Sequence, residues 1–233
     1  IVLEAEDLTT DSTASAALKK QDGNYNNIEF DYSLLYDKRD QSFRPTDGYY
    51  SRFNQTLPML SNDYSIANTY DFKTYHMLSE NMISNISLHL SAINSLEGSD
   101  VRVSDRIFLS SRKLRGFEAG KIGPKDNLDF IGGNYASSIS LSTTLPTVLP
   151  ELESIDLSIF VDAGNVFSSS CTERQSLLKN CSDFDTGELR YAAGLSVTYL
   201  SPFGPLTFYV AAPFGDKEGD DTKTFDFTVG TGF

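Results

Sequence analysis

The strongest regularity along the chain is a period of two. Its last stretch reads TKTFDFTVGTGF, with Phe225, Phe227, Val229, Thr231 and Phe233 on one side and Asp226, Thr228, Gly230 and Gly232 on the other. Successive side chains of a strand point to opposite faces, so this segment has one apolar wall and one polar wall. The pattern recurs upstream. Residues 27–37 set Ile28, Phe30, Tyr32, Leu34 and Tyr36 against Glu29, Asp31, Ser33 and Leu35. Residues 49–57 are a weaker case carrying Phe53 and Leu57, and 64–75 set Tyr64, Ile66, Tyr70 and Phe72 against Thr69, Asp71 and Lys73. Residues 82–92 set Met82, Ile86, Leu88 and Leu90 against Asn85, Ser87 and His89. After a gap, 134–145, 154–167, 189–200, 206–214 and 224–233 repeat the pattern, with Ile155, Leu157, Ile159 and Val161 opposite Asp156, Ser158, Phe160 and Asp162.

These segments predict about nine strands of roughly 9–12 residues, long enough to cross a bilayer when tilted. Sandwich strands are shorter. Short turns alternate with longer polar loops, as in barrels with turns on one side of the membrane and loops on the other. Residues 58–63 are expected to turn the chain. Between 97 and 131 the alternation lapses over about 35 residues, far above the usual loop length, which marks that segment as functional or disordered.

The balance of 19 basic and 32 acidic residues gives a net charge of −13, which disfavours a nucleic-acid partner. Glu4, Glu6, Asp7 and Asp11, and the acids from Asp216 to Asp221, are expected in solvated connections. No run approaches the roughly 18–20 apolar residues of a spanning helix, so a membrane form must be a closed set of strands. The chain starts at Ile1 and shows no targeting segment, so a truncated or processed N-terminus is expected.

Several short motifs sit in a fixed order. They are Phe43 to Gly48 (FRPTDG), Leu114-Arg115-Gly116-Phe117, Lys121-Ile122-Gly123-Pro124, Ile131-Gly132-Gly133-Asn134, Phe160 to Phe167 (FVDAGNVF) and Ser201 to Leu206 (SPFGPL). In order and spacing the chain resembles the BamA family of barrel-assembly factors of the bacterial outer membrane. The resemblance implies an all-β, antiparallel transmembrane barrel of sixteen strands, of which residues 1–233 would be the last nine. Segment 97–131 would be an extracellular loop folding back into the lumen. It further implies folding and insertion of other barrel proteins through a lateral seam, unfolded outer-membrane clients, periplasmic accessory lipoproteins and a lipid bilayer as partners, and no cofactor.

The candidate residues follow. Arg115, flanked by Gly116 and with Phe117 in the same motif, is expected to reach inward from the loop and clamp Asp162 on the polar face of its strand through a charge-assisted, bidentate bond. Members of the resembling family often carry an acid in the strand just after the loop, where this chain has Ser142, which leaves Asp162 or a substitute acid to hold Arg115. The seam residues are Phe225, Phe227, Val229, Gly230, Gly232 and Phe233, the glycines weakening local packing. Cys171 and Cys181 are candidates for a loop disulfide at an oxidising surface. Two thiols without a nearby His make no metal site. His76 and His89 read as ordinary polar residues, and no catalytic constellation stands out, so no enzyme is expected. The alternatives are a translocation pore of the TamA or two-partner secretion kind and, ranked last, a phospholipase-type enzyme, which needs a lipid-facing Ser–His pair.

Overall fold

The computed structural model describes residues 1–61, 64–96, 101–127, 129–146, 154–168, 188–201 and 204–230. The elements are β1 (Val2–Leu8), α1 (Ala16–Lys19), β2 (Gly23–Asp37), β3 (Gly48–Leu60), β4 (Ser65–Ser79), β5 (Met82–Ser95), the short β6 (Lys125–Asp126) and β7 (Asp129–Phe130), then β8 (Tyr135–Thr144), β9 (Ile155–Phe167), β10 (Arg190–Ser201), β11 (Gly204–Phe214) and β12 (Phe225–Val229). All strands but β6 and β7 form one antiparallel sheet in chain order, and β6 and β7 pair separately.

The principal sheet thus has ten strands where about nine are expected. The extra one is β1, paired with β2 from Val2↔Glu29 to Leu8↔Gly23. Glu4, Glu6 and Asp7 lie in it rather than in a connection. Residues 58–60 also belong to a strand. Pro58 stands opposite Glu29 at a register shift, where a residue without an N–H is tolerated.

The two faces differ as the alternation requires. Phe30, Leu34, Ile86, Leu90, Ile139, Leu141, Ile159, Val161, Leu195, Val197, Phe208, Val210, Phe225, Phe227 and Val229 are all exposed. A belt of that extent on a water-soluble surface would be far beyond the usual apolar patch. β9 has 13 residues, about 44 Å at ~3.4 Å per residue, and spans the ~30 Å hydrocarbon layer even when tilted by ~40°.

The opposite face curls around the 101–127 segment. β4 and β12 are six positions apart in the sheet, which is about 29 Å if flat at ~4.8 Å per strand. Yet the adjacent residues Arg112 and Lys113 reach Val229 of β12 and Asp71 of β4 respectively. Only a strongly curved sheet permits both bonds, so the inner face is a trough with the loop inside it.

Candidate functional site

The loop carries its own apolar plug. Leu109, Leu114, Phe117 and Ile122 are buried in one cluster with Ala136 of β8, Val166 of β9 and Ala192 of β10. Small residues on the wall leave room for the large ones of the loop, so the hydrophobic core of the described chain lies inside the trough. That placement follows from solvent geometry: the outward face needs no protein partner in lipid, and the inward face does.

Arg115 projects from this plug onto β9. Its Nε and Nη2 donate to the two carboxylate oxygens of Asp162, each at 2.7 Å, and its backbone N–H donates to Oδ2 at 3.1 Å. Nη2 also donates to Ser140 Oγ at 2.9 Å. The guanidinium carbon sits 3.4 Å from the centroid of the Phe160 ring. A two-pronged ion pair beneath an aromatic face fixes both position and orientation, which a Lys point charge could not do. Asp162 is only 1% exposed, so removing either partner strands a charge away from water. Ser140, rather than Ser142, is the β8 residue at the clamp. Ser140 lies directly across from Asp162 in register, whereas Ser142 pairs with Phe160.

The neighbours of Arg115 have distinct jobs. Gly116 has φ +87°, and a Cβ there would stand 3.1 Å from Ala192 Cβ and 3.3 Å from Ala211 Cβ. Both the conformation and the space call for glycine, and a side chain would cost roughly 1–3 kcal/mol. Phe117 is buried in the plug and forms an isolated bridge to Thr222 in the connection before β12. Main-chain bonds continue that junction: Glu118 N–H to Asp221 O and Lys223 N–H to Gly116 O, both at 2.9 Å.

Two features escape the sequence pattern. Lys113 donates to Asp71, which also bonds His89 Nδ1 at 2.8 Å, giving the loop a second foothold on β4 and β5. His89 therefore faces the trough and not the lipid. Arg190 pairs with Asp220 at 2.8 Å with both side chains almost wholly buried, so at least one acid of the late acidic run is not a solvated charge. Between the loop and the wall lies a cavity of about 650 Å³, whose lining includes the polar side chains of Asn85, Ser87, Ser142 and Thr198.

Of the seam candidates, Phe225, Phe227 and Val229 face outward from β12, while Gly230 adopts φ +89° just past its end. Gly232 and Phe233, and both Cys171 and Cys181, lie outside the described residues. Among the described residues no group of three or more His, Cys, Asp or Glu side chains is arranged to hold a metal.

Residues 2–233 match the Omp85 superfamily domain. The outer membrane protein assembly factor BamA of Neisseria meningitidis is 35% identical over 142 residues, covering 52% of this chain and 17% of that protein. BamA of Neorickettsia risticii is 28% identical over 203 residues, covering 85% of this chain and 26% of that protein. The chain thus spans about a quarter or less of these relatives. Among solved structures, Haemophilus ducreyi BamA lacking POTRA domains 1–3 superposes with a TM-score of 0.80 at 26% identity, covering 88% of this chain and 42% of that one. An antiparallel wall with an outward apolar belt, matched over nearly its whole length, is a wall built for a bacterial outer membrane, and the chain belongs to the Omp85 superfamily.

Proposed function

We propose that this chain forms part of a non-enzymatic factor that folds other β-barrel proteins and inserts them into the outer membrane through a seam at β12. The observation that carries the reading is the loop locked to the inner wall by Arg115 and Asp162. An assembly factor needs a rigid wall beside a compliant edge, so that an incoming strand adds at one place by edge pairing. No cofactor is required, because the client's burial of apolar strands supplies the free energy. Unfolded outer-membrane proteins are the clients in this reading, and periplasmic accessory lipoproteins are its partners.

The test uses the full-length protein in lipid vesicles, with a heat-modifiable barrel as client. Asp162→Arg is expected to abolish accelerated client folding, and a variant folding clients at the unsubstituted rate would overturn the reading. The cavity between the loop and the wall favours a second reading, a translocation pore akin to TamA or the two-partner secretion transporters. That alternative predicts passage of unfolded chain into the vesicle lumen with no folded client in the bilayer.

A further inference from the structure

The bonds between β11 and β12 reveal which backbone groups of β12 point to its other edge. Gly230 N–H donates to Pro205 O at 2.9 Å, and Ala211 N–H donates to Thr224 O at 2.8 Å. Both agree with the register Leu206↔Val229 to Val210↔Phe225. In an antiparallel ladder, alternate residues turn both main-chain groups to the same neighbour. Thr224, Asp226, Thr228 and Gly230 therefore turn theirs toward β11. Phe225, Phe227 and Val229 turn theirs to the opposite edge.

Two of those outward groups carry partners that are not strand backbone. Arg112 Nη2 donates to Val229 O at 2.9 Å. The Asp226 carboxylate accepts from Phe227 N–H at 2.9 Å. Neither cap is loose. Arg112 stands three residues before the Arg115 clamp, and Asp226 is held by Tyr209 Oη at 3.2 Å and Lys223 Nζ at 2.9 Å.

We propose that Arg112 and Asp226 cap the outward edge of β12 and compete with an added strand for Val229 O and Phe227 N–H. An extended strand of a client barrel would have to donate to that carbonyl and accept from that amide. A single N–H given to Asp226 is withdrawn from such a partner, while a carbonyl with two lone pairs is weakened as an acceptor by the guanidinium. Both caps are side chains, so they can leave by rotation, without any movement of the β12 backbone. The anchored loop thereby sets the readiness of the edge, and Arg112 is a positioning residue for strand addition. This inference rests on β12 being the seam.

The experiment takes the full-length protein in phosphatidylethanolamine–phosphatidylglycerol vesicles and makes two measurements. The first is amide exchange at Phe227 in Asp226→Ala, expected to be about fivefold faster, as for loss of one ordinary hydrogen bond. The second is the rate of photo-crosslinking from position 227 to the terminal strand of a client, expected to rise about fivefold in Arg112→Ala and to return toward the original in Arg112→Lys. Unchanged exchange in Asp226→Ala, or unchanged cross-linking in Arg112→Ala against a measurable starting rate, overturns the caps. Faster exchange with no client cross-link in any form upholds the Asp226 cap and overturns the seam reading instead.

Discussion

β9 and β12 obey the same alternation and end in opposite mechanical situations. β9 pairs along its length with both β8 and β10, and its inner face lies under the loop, with Phe160 beneath the Arg115 guanidinium and Asp162 sealed from solvent. β12 has five residues, pairs with β11, and holds its inner face with one carboxylate between Tyr209 and Lys223. The outward sides are alike, apolar in both. The period of two decides which wall meets lipid, and what covers the inner wall decides how firmly each strand is held. The interior of the described sheet is therefore braced at β9, and its edge at β12 is compliant.

The comparison breaks most severely if the brace is removed. Asp162→Ala leaves the guanidinium of Arg115 without its counter-charge in a largely dry site, at a cost of about 3–5 kcal/mol. Urea unfolding in detergent micelles should show that loss, with the amides of 101–127 exchanging early. A midpoint unchanged from the parent would mean that the loop is held by its apolar plug alone. A smaller effect is expected at the compliant end. Gly230→Ala puts a side chain at φ +89°, with no neighbour within 4 Å of the new Cβ, so the cost is conformational, roughly 1–2 kcal/mol. Exchange of the Thr228 amide, bonded toward β11, should quicken by about tenfold while 101–127 stays protected. Slowed exchange there would show that the end of β12 gains from a stiffer residue.

The smallest effect lies in the connection between β2 and β3, outside the membrane-spanning strands. The Thr46 hydroxyl, with backbone N–H groups nearby, holds the Asp40 carboxyl below its ordinary value. A depressed folded pKa stabilises above the unfolded value, about 3.9, and the contribution is lost as pH falls through the lower folded value. Acidification below about pH 4 should therefore loosen residues 40–47, seen as faster exchange of the Thr46 amide. A turn equally ordered at pH 2 would remove Asp40 from the account.

Much of this was legible in the residues. Strict alternation around Ile159, Phe160, Val161 and Asp162 placed the carboxylate inward, and LRGF supplied a cation beside a glycine. Other parts could not be read so. β1 carries Glu4, Glu6 and Asp7 and lacks one clean apolar side, so its charge imitates a loop until Glu6 meets Arg102 at 3.5 Å. Lys113 and Arg112 look like ordinary loop cations, because their partners, Asp71 and the carbonyl of Val229, are 42 and 117 residues away in sequence. A carbonyl on a strand edge leaves no side-chain signal at all. The Ser140 partner of Arg115 depended on register, which alternation fixes only as to face and not as to step.

The most direct test concerns the two walls themselves. Nitroxide labels placed singly at Ile159, Val161, Leu195 and Val210, and at Asn85, Ser142 and Thr198, would be read in vesicles of the full-length protein against oxygen and a water-soluble nickel chelate. The account predicts oxygen-dominated relaxation at the first four and nickel-dominated relaxation at the last three. The reverse assignment, or nickel access at the apolar positions equal to that at Ser142, would contradict it.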